Sequence, residues 1–348
     1  MSVDRMHLCL LFLLSTLFET ASSVLCEGCV PVFYHGLNGS SCFRIPTIIK
    51  SSKGTLLAFA ENRVTDCGDN GAQHDLVLRR SDDQGMSWGP LITVAKGKVP
   101  CPGCPAAISN PNPVDVLMGD GSRKILLHYD TMNNPNPAHH GIDMQMWSDD
   151  DGITWSQGTA LSFGATTNNT GALIGPSVGI QATDGTIYFS MVFEDDHWLY
   201  WSKDLGKSWT ASKPVKGVGE CSIAFLVDSE DGRIIMNCRT NNHQRAQIIW
   251  SPDGIPSPMT WPGIIDPGCQ GSIINNEGIL HVSNANTTSS RTHMVVKSSH
   301  DQGKSWNNGV LVYPGASGYS QLVALEANGL GLLFETDGMT IAYVAVAV

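Results

Sequence analysis

Positive charge is what this chain has least of. Its 348 residues carry 21 Lys and Arg against 32 Asp and Glu, a net charge of −11. That balance speaks against nucleic acid or an anionic membrane surface as a partner. It suits an anionic substrate no better, unless arginines gather at one place. Helix signals are nearly missing as well, which excludes the α-rich fold classes. There is no low-complexity segment and no block of like charge, so nothing marks a linker or a second domain. Long apolar runs are missing too: the C-terminal IAYVAVAV has eight residues and reads as a closing strand, not an anchor.

The one other apolar run, Leu8 to Phe18, follows Arg5 and precedes the small residues Ala21-Ser22-Ser23. It is too short to span a bilayer and has the build of a secretory signal peptide. Cleavage is expected between Ala21 and Leu25, leaving one domain over 26–348 that is secreted or lysosomal. Of ten cysteines one, Cys9, lies in the leader, so nine remain. An oxidising compartment favours pairing, and an odd count leaves one free or intermolecular. Cys26/Cys29 and Cys101/Cys104 form C-x-x-C pairs, where disulfides suit a secreted chain better than zinc or thiol-redox chemistry. Sequons at Asn38, Asn168 and Asn286 fit a glycosylated surface.

What the chain has in quantity is turns and short strands. It contains 36 Gly and 18 Pro, and clusters of Gly, Asp, Asn and Pro separate β-branched runs such as DLVLRR, IDMQMWS and HMVVKS. Asn-Pro-Asn-Pro at 110–113, and again near Asn134, reads as long loops. Four copies of Ser-x-Asp-x-Gly-x-Ser/Thr-Trp run from Ser81 to Trp88, Ser148 to Trp155, Ser202 to Trp209 and Ser299 to Trp306, with a degraded copy at Ser251-Pro-Asp253-Gly254. Each describes a hairpin corner: Asp accepts from the turn's N–H groups, Gly supplies a positive φ, and Trp packs back on the blade. A calcium loop is excluded at Asp149-Asp150-Asp151-Gly152, because Ile153 stands where a ligand belongs. Repeats of this spacing indicate a propeller. About 320 residues after cleavage, divided into blades of roughly 45–55, give an all-β six-bladed propeller.

One feature does not belong to a structural repeat. Phe43-Arg44-Ile45-Pro46 puts an arginine inside an apolar strand, where a guanidinium needs an anionic partner from the protein or a ligand. This segment together with the Asp boxes resembles the exo-α-sialidases, and the resemblance runs from Phe43 to the C-terminus. It implies a six-bladed propeller with its site on the central axis. It also implies a carboxylate-binding triad of Arg44, Arg239 and Arg291, with Arg245 as the rival of Arg291. The implied nucleophile is Tyr319, with Tyr313 as rival, activated by Glu220. The implied acid/base is Asp69, in competition with Asp66 and Asp75. Glu335 matches the acid that holds the first arginine. Arg63, Asp115 in the 110–115 segment, and Gly175-Pro176-Ser177 match segments lining the pocket.

The chemistry explains these residue types. Sialic acid carries a carboxylate on its anomeric carbon, so three arginines can clamp it with charge-assisted hydrogen bonds of about 1.5–3 kcal/mol each. A carboxylate nucleophile would meet that anion head-on, whereas a neutral Tyr deprotonated by a Glu avoids the repulsion. An Asp then protonates the leaving oxygen and later activates water, with net retention and no cofactor or metal. His128 and His139-His140 lack a third ligand at suitable spacing and read as core or loop. The stretch 193–198 fits the glycerol chain or aglycone as well as an ordinary strand end. The partners expected are sialylated glycoconjugates. The rivals are a trans-sialidase, including an intramolecular one, and an inactive sialoglycan-binding propeller.

Overall fold

The four Asp boxes fix where strands end. In each, the Ser hydroxyl donates to the Asp Oδ1, at 2.7 Å for Ser81–Asp83 and 2.8 Å for Ser299–Asp301. The box Gly N–H donates back to that Ser oxygen, at 2.8 Å in the first three boxes and 2.9 Å in the last. The backbone N–H of Ser87, Thr154, Ser208 and Ser305 closes the ring on the same Asp oxygen. The Ser and Asp side chains thereby share the turn's backbone donors between them. The degraded copy has its Gly one position earlier, and Ser251 Oγ receives Ile255 N–H instead.

The computed structural model describes residues 26–69, 73–97, 105–133, 142–161, 173–193, 196–226 and 232–347. The leader, Cys101, Cys104, Asn134, His139, His140, Asn168, Glu194 and Asp195 lie outside them. Among the described residues the helical elements are single 3₁₀ turns at Leu37–Gly39, Glu326–Asn328 and Asp337–Met339. The rest of the regular structure is antiparallel meander, and the fold is an all-β propeller. Cys42–Lys50, Leu56–Arg63, His74–Ser81 and Ile92–Ala95 form the first meander. Pro105–Leu117, Arg123–Asn133, Ile142–Ser148 and Thr159–Ala160 continue the same eight-stranded sheet, joined to the first half by one parallel bridge, His74 to Ala107. Further sheets centre on Ile187–Phe193 with Asp196–Ser202, on Cys221–Phe225 with Ile234–Cys238 and Ala246–Trp250, and on Ser272–Asn276 with its three successors through Ala316. The last sheet holds Ser320–Ala324, Leu330–Thr336 and Thr340–Val346, and the N-terminal strand Val30–Phe33 pairs with its outer edge. That exchange ties the two ends of the chain together and closes the ring.

Packing between sheets is regular. A Cβ on Gly85 would lie 1.9 Å from Tyr343 of the last sheet, one on Gly152 2.8 Å from Leu78, and one on Gly206 3.0 Å from Trp147. Each box glycine thus presses on the preceding meander, which is a second reason for glycine beyond its positive φ. The box tryptophans also reach across: Trp88 packs edge-on to Tyr343 at 5.5 Å and Trp155 edge-on to Phe59 at 5.9 Å. The expectation that each Trp folds back on its own blade holds for Trp209, which packs on Phe189 and Tyr200, while Trp88 and Trp155 also bridge to the preceding meander. Near the axis, hydroxyls replace apolar contacts. Ser222 Oγ accepts from Ile273 N–H, Ser272 Oγ from Leu322 N–H, and Thr47 Oγ1 donates to Pro111 O.

A second correction concerns Asn110-Pro-Asn-Pro113. It lies inside the strand Pro105–Leu117, not in a loop. The register slips between Ser109 and Asn112, and Asn110 takes φ 54°. A bulge absorbs the prolines at the point where the strand borders the axis and lacks a regular ladder partner. His128 is in the core, its ring 4.2 Å from that of Phe189 and its Nδ1 2.9 Å from Tyr200 OH.

Candidate active site

Arg44 is aimed by a bulge of the same kind. Its strand slips register between Arg44 and Thr47, and Ile45 takes φ 58°, a strained conformation for a β-branched residue. Pro46, with no N–H to lose, fits that slip. The freed Ile45 N–H donates to Glu335 Oε1 at 3.1 Å, and Arg44 Nε donates to the same oxygen at 3.1 Å. Glu335 Oε2 receives Tyr319 N–H at 3.1 Å. One carboxylate therefore fixes the arginine of the first meander and the tyrosine that opens the last sheet.

Tyr319 immediately precedes the strand Ser320–Ala324, and Glu220 immediately precedes Cys221–Phe225. The Tyr319 hydroxyl donates to Glu220 Oε1. Arg239 follows the strand Ile234–Cys238, which pairs with Cys221–Phe225, so its Nη1 reaches Glu220 Oε2 at 2.7 Å. The Tyr319 ring is 7% exposed, and Arg44 and Arg291 lie 5.2 and 5.6 Å from its centroid. None of the ion pairs among the described residues includes Arg291. Burial and the negative charge of Glu220 hold the Tyr319 hydroxyl well above its ordinary range, so it is protonated at rest. Burial pulls the Arg44 guanidinium down, but Glu335 and Tyr319 outweigh it and the net shift is upward.

Asp69 lies beyond the strand Leu56–Arg63, and its side chain is 67% exposed. Its Oδ1 accepts from Arg63 Nη1 at 2.7 Å and Arg44 Nη1 at 3.2 Å. Partial burial pushes this carboxyl up, yet the charge and hydrogen bond of Arg63, then Arg44, hold it below the usual carboxylate range. Asp66 turns to its own loop, accepting Gly68 N–H at 2.8 Å, and Asp75 accepts from Gln73 and Gly97. Tyr313 donates to Asp337 at 2.6 Å, outside the Glu220 pair.

Of the two other expected pocket residues, Arg63 lies beneath Asp69 and Asp115 sits elsewhere. Arg63 is buried, and its guanidinium is taken up by Glu61 (Nε at 3.0 Å, Nη2 at 2.8 Å), Cys67 O and Asp69. It supports Asp69 from below. Asp115 takes Arg123 Nε at 3.1 Å at the far end of its strand, away from the Tyr319 group. There it lines a cavity of about 680 Å³, together with Ile48, Phe225 and Leu322. Arg44, Glu220 and Tyr319 stand at the starts of the same strands, so that cavity opens at the opposite end from the charged cluster. Arg245, the rival of Arg291, is fully buried on Asp266 at 3.0 Å, away from solvent. Ser177 N–H donates to Asn112 Oδ1 at 2.9 Å, beside Gly175-Pro176.

Sequence reasoning missed Glu61, which accepts Asn110 N–H at 3.0 Å as well as Arg63. Its signal was present: Glu61 and Arg63 are two apart in a strand and share a face. It also missed Cys269, the unpaired cysteine among the described residues, which packs with Ile45 against Tyr319. Burial pushes that thiol up to about 12. The three disulfides described are Cys26–Cys29, Cys42–Cys67 and Cys221–Cys238.

Residues 54–332 match the family model described as the BNR repeat-like domain. Among curated proteins, the chain is 26% identical to a sialidase of Bacteroides fragilis over 91% of its own length and 64% of the relative's. It is likewise 26% identical to a sialidase of Micromonospora viridifaciens, over 86% of the chain and 51% of that protein. The chain thus spans between half and two thirds of these relatives. Among solved structures, a sialidase from Streptococcus pneumoniae superposes with a TM-score of 0.80 at 16% identity, covering 92% of this chain and 71% of that one.

Proposed function

From the premise that this chain belongs to the BNR repeat-like domain family, we propose that it is an exo-α-sialidase releasing terminal sialic acid from glycoconjugates with retention. The observation that carries this is a single tyrosine, buried and hydrogen-bonded to Glu220, with Arg44 and Arg291 over its ring and Arg239 beside its base. Three guanidinium groups gathered at one point of a protein with net charge −11 form a local positive site. They suit an anion arriving next to the tyrosine.

In this reading the substrate carboxylate settles on Arg44, Arg239 and Arg291, which sets the anomeric carbon over the Tyr319 oxygen. Tyr319 attacks as Glu220 takes its proton, and the C–O bond to the aglycone breaks while Asp69 delivers a proton to the leaving oxygen. Asp69, again a carboxylate, then takes a proton from water, whose oxygen attacks the same carbon from the vacated face; the bond to Tyr319 breaks, and Glu220 gives the tyrosine oxygen back the proton it took. Two displacements give retention. Asp69 begins as an anion on Arg63 and Arg44, so it must take a proton from solvent before it can act as the acid. Competition of the substrate carboxylate for Arg44 removes one of the two charges that keep Asp69 ionised.

The eight-stranded sheet is read here as two blades sharing a single bridge, which makes the propeller six-bladed. The cycle of neighbouring inner strands supports that count, running from Cys42–Lys50 through Pro105–Leu117, Ile180–Gln181, Cys221–Phe225 and Ser272–Asn276 to Ser320–Ala324. Entry into the secretory route belongs to the same proposal, supported by the three disulfides.

The test is hydrolysis of a fluorogenic α-sialoside between pH 4 and 7.5 by the natural protein, Tyr319→Phe and Asp69→Asn, with proton NMR of the first sugar released. Cleavage that yields the α-anomer first and collapses in Tyr319→Phe supports the proposal. A natural protein that binds sialosides but releases no sugar leaves a glycan-binding propeller in its place.

A further inference from the structure

We propose that the Cys42–Cys67 disulfide is a positioning element for Asp69, holding the acid/base group over the glycosidic oxygen during the reaction. This rests on the assignment of Asp69 above. Cys42 lies two residues before Arg44 in one strand, so both side chains leave the same face. Cys67 lies two residues before Asp69. The crosslink joins the two, so at about 3.3–3.6 Å per residue Asp69 stays within roughly 7 Å of a covalent anchor on the strand that carries Arg44.

The other restraints on Asp69 are weaker in kind. Its carboxylate is held by Arg63 and Arg44, and Cys67 O accepts from Arg63 Nη1 at 2.7 Å. Gly68 N–H binds only Asp66 of the same loop. Once a substrate carboxylate competes for Arg44 and Asp69 becomes neutral, both ion pairs weaken at the step where its position matters most. The disulfide does not respond to that change of charge. Met339 Sδ, 3.3 Å from Cys67 Sγ, adds an apolar contact on the outer side. Cys221–Cys238 stands in the same relation to Glu220 and Arg239, each adjacent to one of its cysteines. By contrast, Cys26–Cys29 packs against the apolar cluster of Leu322, Leu332 and Val344.

A general acid is needed in proportion to how poor the leaving group is, and that separates positioning from overall integrity. The experiment compares kcat/KM of the natural protein and a Cys42→Ser/Cys67→Ser double variant on two α-sialosides. One carries a sugar alcohol as leaving group and the other a nitrophenol, which leaves without protonation. The expected result is a fall of about tenfold or more on the alcohol and a change within about twofold on the nitrophenol. Equal losses on both, or no loss on either, overturn the proposal. If the double variant does not fold, the natural protein is titrated with a phosphine, which opens the disulfide to two thiols as water supplies its oxide oxygen and the protons. Alkylation and mass spectrometry then identify the fraction opened at Cys42 and Cys67, and the same contrast is read in that fraction. A natural protein that cleaves neither substrate overturns the sialidase reading instead.

Discussion

Tyr319 and Glu220, 99 residues apart in sequence, meet through one hydrogen bond in which the phenol donates and the carboxylate accepts. Because burial and Glu220 hold the phenol well above its ordinary value, no working pH ionises it unaided. Replacing Tyr319 by Phe is expected to lower kcat by at least about 100-fold with little change in the melting temperature. Glu220→Gln should lose a similar factor, and raising the pH to 9 should not restore it. Activity unchanged in Glu220→Gln would show that Glu220 is not the proton acceptor.

Two arginines that look alike in sequence should behave oppositely. Arg245 is buried on Asp266 with Cys269 O as a further acceptor at 2.9 Å. Arg245→Ala strands the Asp266 charge in the interior and should cost about 3–5 kcal/mol in urea unfolding. Arg291→Lys leaves no buried charge unpaired, so unfolding should be unaffected. Loss of the fork geometry at a carboxylate should raise KM by about tenfold, a charge-assisted bond being worth about 1.5–3 kcal/mol. A KM unchanged in Arg291→Lys removes that residue from the clamp.

The fold was legible because its signal is repeated. Four boxes with the same spacing specify four corners with one geometry, and short β-branched runs between them leave few alternatives. The count of blades was less secure, since a single His74–Ala107 bridge fuses two meanders into one sheet. At the site, Arg44, Glu220, Arg239 and Tyr319 come together as the resemblance implied, each at a strand start or end. Asp115 did not: a strand of 13 residues reaches both ends of the axis, and nothing in a one-dimensional pattern says where along it the pocket lies. Arg63 does lie beside Asp69, but its partnership with the buried Glu61 could not be read from the sequence pattern. The prolines at 111 and 113 hid a bulged strand, since proline marks a loop and a strand irregularity alike.

The boxes carry a pH dependence of their own. Hydrogen bonds from Ser87 hold Asp83 at about 2, below the ordinary 3.8, and those from Ser305 do the same for Asp301. A depressed folded-state pKa gives stability that is complete above the unfolded value and is lost as pH falls through the folded one. The window is therefore from about pH 4 down to about 2. Thermal melts of the natural protein and Asp83→Asn should differ by a constant amount above pH 5 and converge below pH 4. A difference that persists undiminished at pH 2 would mean that the charge on Asp83 is not what the turn uses.

Glu335 is the residue on which the two halves of the site depend at once. It accepts from Arg44 Nε, Ile45 N–H and Tyr319 N–H, each at 3.1 Å, and from Arg44 Nη2 at 3.4 Å. An amide in its place has one oxygen and one NH₂, and whichever way it turns, a donor faces donors. If it gives its oxygen to Arg44 and Ile45, the Tyr319 backbone is left unpaired; if it turns to Tyr319, the strained bulge at Ile45 loses its anchor. Glu335→Gln should therefore raise KM through Arg44 and lower kcat through Tyr319, with kcat/KM down by about 100-fold, the sum of two interactions near 1.5 kcal/mol each. Glu335→Asp keeps four acceptor sites but withdraws them by one methylene, and should fall between the two. If Glu335→Gln alters only kcat, the carboxylate serves the tyrosine alone, and Arg44 is held by its bulge without it.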